Sequence, residues 1–381
     1  MEKDQFINSG LRSLEALKSI VREYGATRIF VVTGKESFKK CGAKFIVENA
    51  LKDYETIYFS DFEVNPKIED VIKGVNLIHD NKIELLICVG GGSVIDMAKL
   101  IKAFIINKNQ AYDIAKGITK VIDPDIPLLA IPTTAGSGSE STHFAVVYIN
   151  KEKFSVADEC LLPSQVILDG NLATSASRYQ KAANVLDAIS QSIESAWSVS
   201  ATYESQKIAY QALELCMEHF HEYVNIADLS EAAQSMIVAS NMAGKAINIS
   251  KTTAAHAWSY GISSNYGVSH GHAVWFTLPK IFEIHNTISK TNLHINDPRG
   301  RIHLQETMSN LKNILGICND KNINHFFKEM LNSIGISADF EEDLLLSELE
   351  RMSLSKAVNK ERMGNNPIKF DSDHISSIFN L

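Results

Sequence analysis

Residues 84–104 read ELLICVGGGSVIDMAKLIKAF. An apolar run from Leu85 to Val89 meets Gly90, Gly91, Gly92 and Ser93, and an apolar-periodic stretch begins at once. The order is strand, tight turn, helix, the opening of a βαβ unit. Two readings of the glycines stand side by side. They are a bare tight turn, or they let the backbone come close to a ligand whose anionic group meets the free N–H groups and dipole of the new helix. A pyrophosphate suits the second reading, although the stretch is not the GxGxxG fingerprint.

The flanking sequence repeats this rhythm. RIFVVTG ends at Gly34, ETIYFS covers residues 55–60, and PLLAIPTT covers residues 127–134. Between them lie helix-period stretches, SFKKCGAKFIVENALKD and KIEDVIKGVNLIHD. FAVVYI (144–149) and QVILD (165–169) add two short strands. Strands alternating with helical spacers predict a mostly parallel, Rossmann-like sheet. After PLLAIPTT comes AGSGSESTHF, which offers the hydroxyls of Thr133, Thr134, Ser137 and Ser139 and the backbone of Gly136 and Gly138. It reads as a surface turn or as a second ligand loop, since open α/β sheets bind ligands beyond the carboxyl ends of their strands. Two such loops favour a dinucleotide.

Beyond Pro163 no proline occurs until Pro279, and long apolar-periodic stretches such as SQKIAYQALELCMEHFHEYV and SEAAQSMIVASNMAGKAINI appear. That predicts an α/β domain over residues 1–172 and an all-α domain over 173–381. A length of 381 residues agrees with two cores. A net charge of −8 argues against a nucleic-acid partner. No apolar run approaches the roughly 20 residues of a membrane span, and MEKDQFINSGLRSLEALKSI lacks an apolar signal core. The five cysteines stand singly without a CxxC, which suits a reducing cytoplasm.

ANVLDAISQSIESAW (183–197) places Asp187 and Gln191 at i and i+4 on one helix face, with Glu194 three residues on. HAWSYGISSNYGVSHGHAV (256–274) reads as a helix end and a loop through Gly261 and Gly267 that could return His270 toward His256. A carboxylate, an amide oxygen and two imidazoles would make a mixed O/N site for Fe²⁺ or Zn²⁺. The plainer reading is a solvated helix face, a helix-capping His256 and a loop His270.

GGGSVIDMAK, IPTTAGSGSE, LDAISQSIES and HAWSYGISSNYGVSHGHAVWFTLP together resemble the iron-dependent, or group III, alcohol dehydrogenases. The resemblance spans almost the whole chain. It implies a dinucleotide-binding domain, a helical domain, an active site in the cleft between them, and a homodimer or larger homo-oligomer. Carried over by motif, Gly90, Gly91, Gly92 and Ser93 bind the pyrophosphate. Thr133, Thr134 and Ser137 line the nicotinamide–ribose region, and Lys153 reaches a cofactor ribose. Asp187, His256 and His270 fall on three metal-ligand positions. Three departures follow. Gln191 stands where the family usually has histidine, so the metal is Fe²⁺ by resemblance with Zn²⁺ or Mn²⁺ as alternatives. Tyr260 replaces a relay histidine, which makes Tyr260 or His272 the proton donor. Gly34 replaces the acid of NAD-preferring members, so Lys35 can meet a 2′-phosphate, and NADPH is expected at least as much as NADH.

The wording around these motifs resembles the phosphonoacetaldehyde reductase branch. It implies reduction of phosphonoacetaldehyde to 2-hydroxyethylphosphonate, with His143, His272, Arg362 and the RMGNNP segment as conceivable anion partners or as ordinary surface and packing residues. A general short-chain alcohol or lactaldehyde oxidoreductase is the alternative, and a catalytically decayed binding protein the non-enzymatic one.

Overall fold

Apolar residues fill both faces of the runs at 28–33, 85–90 and 128–132, which is what a parallel sheet covered on both sides requires. A computed structural model of the chain describes residues 5–79, 81–150, 152–227, 230–287, 294–337 and 346–381. The chain divides into two compact units, Met1–Ala176 with Asp228–Asn241, and Ser177–Ala227 with Met242–Leu381.

In the first unit, strands β1 (Phe6–Ser9), β2 (Arg28–Thr33), β3 (Glu55–Phe59), β4 (Leu85–Gly90), β5 (Leu128–Pro132) and β8 (Gln165–Leu168) form a parallel sheet in the order β1-β8-β5-β4-β2-β3. β6 (Phe144–Ile149) and β7 (Glu152–Ala157) form a separate antiparallel pair. Helices α1 (Leu17–Tyr24), α2 (Ser37–Lys40), α3 (Ala43–Leu51), α4 (Ile68–His79), α5 (Gly92–Phe104) and α6 (Ala111–Ala115) accompany the strands. Alternate residues of each strand enter opposite cores. Phe30, Val32, Leu86, Cys88 and Ala130 pack with α4 and α5, whereas Ile29, Val31, Leu85, Ile87 and Ile131 pack with α1 and α3. The chain runs outward from β2 to β3, then crosses back to β4 and continues the other way. The switch point therefore lies between β2 and β4, where an open sheet leaves a crevice at its carboxyl edge.

The second unit is helical. α7 (Arg178–Trp197) and α8 (Tyr203–Asn225) precede α9 (Ser230–Ser250), whose first half belongs to the first unit; α10 (Ala254–Tyr266), α11 (His270–Trp275) and α12 (Leu278–Asn286) follow, with further helices after them. No described helix is long and apolar enough to cross a membrane. Two local expectations change. The segment after His256 does not end at Gly261: α10 runs on to Tyr266, and Gly261 lies inside it where Leu354 packs closely. His270 is not a loop residue but the first residue of α11, because the turn through Gly267 (φ 67°) lasts only three residues.

Candidate functional site

In the first unit the two glycine-containing loops meet. β4 ends in Gly90, Gly91 is the N-cap of α5, and Thr133 N–H donates to the Gly90 carbonyl at 3.0 Å. A Cβ on Gly92 would stand 2.7 Å from Ser137 Oγ, so any side chain there would press the second loop away. Thr134 lies against Gly91 in the same way, and Ser93 Oγ accepts from Asn65 N–H at 3.2 Å. Gly34 follows β2 directly across the switch point, within reach of Val94 on α5. Lys35 Nζ pairs with Asp61 Oδ1 at 3.1 Å, both exposed. The structure thus brings a carboxylate from the end of β3 to the lysine that follows Gly34. Lys153 sits in β7, opposite Tyr148, within electrostatic range of Asp96.

Two buried residues that the motif reading passed over hold the second loop. Lys99 on α5 is fully buried and donates to the carbonyls of Ser139, Thr142 and Phe144 and to Thr142 Oγ1. Burial pushes its pKa down to about 8, against the pull of Asp96. Asp96 accepts from Val146 N–H at 3.1 Å. Burial lifts its carboxyl above the ordinary value. The spacing of Asp96 and Lys99, three residues apart on the helix after the glycines, was the available signal.

In the second unit Asp187, His256 and His270 each offer one donor atom, and the three atoms lie within 4.8 Å of one another. Asp187 comes from the middle of α7, His256 from the first turn of α10, and His270 from the start of α11. The His256 Nε2–Asp187 Oδ1 separation is 3.4 Å. Two ligands of one tetrahedral ion about 2.1 Å away would stand about that far apart. The two imidazoles meet edge to face, ring centroids 5.3 Å apart. α11 reaches α7 because residue 271 is glycine: a Cβ there would lie 2.0 Å from the Ala183 carbonyl oxygen and 2.7 Å from Asp187 N and Cβ. Gln191, buried one turn beyond Asp187, hydrogen-bonds to it.

Charge in this pocket is arranged to hold a cation. Burial favours a neutral His256 ring, but the Glu194 carboxylate first and Asp187 after it raise its pKa to about 9. Burial likewise works against charge on Asp187 and Glu194. The imidazoles and hydrogen bonds nonetheless keep both below the usual carboxylate range. Two anions around one ring stabilise positive charge, and a carboxylate with two imidazoles is a donor set that suits Fe²⁺, Zn²⁺ or Mn²⁺. The residues present fit a divalent metal.

Among the other predicted residues, Tyr260 stacks on His270, with centroids 5.9 Å apart and planes at 20°. His272 Nδ1 meets the Tyr179 hydroxyl at 3.1 Å. Arg362 donates to Thr252 Oγ1 at 2.7 Å, next to the start of α10. His143 lies in the first unit, edge-on to Phe144.

Residues 5–170 match the family described as iron-containing alcohol dehydrogenase, and residues 181–381 match the C-terminal part of the Fe-containing alcohol dehydrogenase family. A phosphonoacetaldehyde reductase of Streptomyces viridochromogenes is 29% identical over 246 residues, which is 62% of this chain and 61% of that protein. The match thus spans about three fifths of that relative. An NADPH-dependent butanol dehydrogenase of Clostridium saccharobutylicum is 26% identical over 97% of this chain and 94% of its own. Among solved structures, a sulfoacetaldehyde reductase from Bifidobacterium kashiwanohense in complex with NAD⁺ superposes with a TM-score of 0.88 at 25% identity, covering 99% of this chain and 96% of that one.

Proposed function

Since the chain belongs to the iron-containing alcohol dehydrogenase family, we propose that it is a metal-dependent, NAD(P)H-linked aldehyde reductase whose substrate is a two-carbon aldehyde bearing a tetrahedral anionic head, with phosphonoacetaldehyde, reduced to 2-hydroxyethylphosphonate, as the leading candidate. The observation that carries the chemistry is the convergence of Asp187, His256 and His270. When bound, a divalent metal supplies Lewis acidity toward the aldehyde oxygen, and a reduced nicotinamide is the hydride source.

The chain's own residues have these parts. Asp187, His256 and His270 hold the metal, with the Gln191 amide oxygen as a harder and weaker fourth donor than imidazole. Gly90, Gly91, Gly92 and Ser93, at the start of α5, bind the pyrophosphate. Thr133, Thr134 and Ser137 face the same turn and position the nicotinamide half, and Lys153 takes a ribose hydroxyl. Tyr260, stacked on His270, gives its proton to the developing alkoxide, with His272 as the second candidate. At the adenosine end Lys35 is available to a 2′-phosphate in competition with Asp61, so both NADPH and NADH are accepted. The anionic head is argued from the two relatives whose names carry a phosphono- and a sulfoacetaldehyde, which share a C2 aldehyde and a tetrahedral anion. The butanol dehydrogenase, which aligns along nearly the whole chain, supports a general short-chain alcohol dehydrogenase as the second reading.

The test is an aldehyde panel of phosphonoacetaldehyde, sulfoacetaldehyde, propanal and butanal, run with NADH and NADPH and with Fe²⁺, Zn²⁺ or Mn²⁺ added to metal-free protein. The proposal expects kcat/KM for phosphonoacetaldehyde at least tenfold above butanal, lost in His270→Ala. A preference for butanal supports the second reading. Metal-independent turnover, or an active His270→Ala, overturns the ligand assignment.

A further inference from the structure

We infer that Glu194 is a positioning residue for the metal centre: it fixes the proton of His256 on Nδ1 and so turns Nε2 toward Asp187 and the metal. The inference rests on the reading of Asp187, His256 and His270 as metal ligands, and its geometry is independent of any ion.

Glu194 lies seven residues after Asp187 on α7, two turns along the same face. It is fully buried. Its two oxygens have different surroundings. Oε1 accepts from Thr253 N–H at 3.1 Å, Thr253 Oγ1 at 2.6 Å, Ala255 N–H at 3.0 Å and His256 N–H at 3.4 Å. These are the orphan donors at the start of α10, gathered on a single oxygen. Oε2 faces His256 Nδ1. The Thr253 hydroxyl has one proton to give. Trp197 Nε1–H donates to that hydroxyl at 2.9 Å, so Thr253 accepts from Trp197 and gives its proton to Glu194. A carboxylate only accepts, so Nδ1 is the donor to Glu194; Nε2, 3.4 Å from Asp187 Oδ1, carries a proton only while the ring is charged, and it is the nitrogen that a cation would take in that proton's place.

This arrangement makes Glu194→Gln an informative change. The single carbonyl oxygen of glutamine is required by the backbone N–H groups of α10, because an NH₂ set against them would put donors against donors. The NH₂ must then face His256 Nδ1. That forces Nδ1 to accept and moves the ring proton to Nε2, the position the metal needs. A nearly isosteric substitution that leaves the cap in place thus blocks the ligand.

The experiment uses the whole chain labelled with ¹⁵N-histidine and freed of metal, with Zn²⁺ as the probe. Wild type should show a hydrogen-bonded His256 Nδ1–H resonance. Glu194→Gln should keep its helical circular dichroism, lose that resonance, and bind Zn²⁺ about 10–100-fold more weakly, the usual effect of removing an outer-shell partner. Thr253→Val keeps the carboxylate, so it should keep the resonance and lose less than about tenfold in affinity. The inference is overturned if Glu194→Gln retains the Nδ1–H resonance or wild-type Zn²⁺ affinity, or if Thr253→Val matches its loss. Absence of the resonance in wild type overturns it without any variant. A wild type that shows the resonance yet binds no divalent metal sinks the ligand reading instead, and the two failures are told apart.

Discussion

Gly271 is the residue on which the metal site should depend most sharply without itself being a ligand. Replacing it by alanine sets a methyl carbon 2.0 Å from the Ala183 carbonyl oxygen and 2.7 Å from Asp187 N and Cβ. A carbon rarely approaches an oxygen closer than about 3.3 Å. The start of α11 must therefore draw back from α7 by roughly 1.3 Å along that contact, since the obstructing atoms are mainly backbone of a buried helix. His270 is the neighbouring residue and moves with it, opening a cluster whose donor atoms now lie within 4.8 Å. Overpacking costs about 1–3 kcal/mol, offset by the roughly 0.4–1 kcal/mol that Gly→Ala gains by restricting the unfolded chain. Fold stability should thus fall by no more than about 2.6 kcal/mol. A displacement near 1 Å at a reacting centre costs on the order of 100-fold. Gly271→Ala is expected to remain folded by circular dichroism, to bind Zn²⁺ or Fe²⁺ at least about tenfold more weakly in a competition titration, and to lose about 100-fold in kcat. Gly364→Ala is the control. It lies in the helix Lys360–Gly364, and a Cβ there meets nothing within 4 Å. A Gly271→Ala protein with wild-type metal affinity would refute the claim that α11 delivers His270 through this contact.

At the Lys35–Asp61 pair, Asp61→Asn should raise the kcat/KM ratio of NADPH over NADH roughly twofold to fivefold and Lys35→Ala should lower it, as befits an exposed pair worth about 1 kcal/mol or less; unchanged ratios in both variants would remove this pair from cofactor selection. Tyr260→Phe should lower kcat by at least about 100-fold. His272→Asn should lower it less than tenfold, and the reverse order would assign the proton transfer to His272. His285, fully buried and accepting from Asn366 Nδ2 at 3.3 Å, has its pKa pushed down by burial to about 3. The unfolded chain binds this proton near pH 6.5 and the folded chain only near 3. The stability it contributes is therefore complete above about pH 6.5 and falls by about 1.4 kcal/mol per pH unit as pH drops toward 3. Urea midpoints of the helical unit at pH 7 and pH 5 should show a steeper loss in wild type than in His285→Phe, and equal slopes would contradict it.

What the sequence displayed and what it hid divide along contact range. Strands β2, β4 and β5 were legible because each is a short run of Val, Ile and Leu wanted on both faces of a buried parallel sheet. β1 (FINS) and β7 (EKFSVA) were not, since an edge strand and half of a two-stranded ribbon need no such run and carry polar residues instead. The Asp187, Gln191 and Glu194 stripe was visible as helical spacing. That Glu194 caps α10 was not, because its partners lie 59 to 62 residues on and only packing joins them. Gly271, between two histidines, carried no signal of its own in the sequence. Its reason, the backbone of Ala183 and Asp187, is more than 80 residues away. Asp61 came to Lys35 only because β3 lies beside β2 in the finished sheet.

The three side chains proposed as metal ligands come from three helices, yet each is placed by contacts that exist without an ion. α7 carries the reference face. At Glu194 it receives the start of α10 by taking up that helix's unsatisfied N–H groups, and this brings His256 in with a set ring proton. Two turns earlier, at Asp187, it receives the start of α11 through the gap that Gly271 leaves, and this brings in His270. Neither docking contact uses the lone pairs a metal would take. Small metal-nucleated domains behave otherwise, because there the ligands converge only when the ion pulls them together, and binding and folding are one event. Here the ordering of the histidines is already achieved by helix capping and close packing, so a metal bound at the proposed site would spend little of its binding energy on folding. The same arrangement keeps the Asp187 and Glu194 carboxylates below their ordinary range, which the proposed cation would need all the more with an amide at residue 191, where imidazole would bind more strongly.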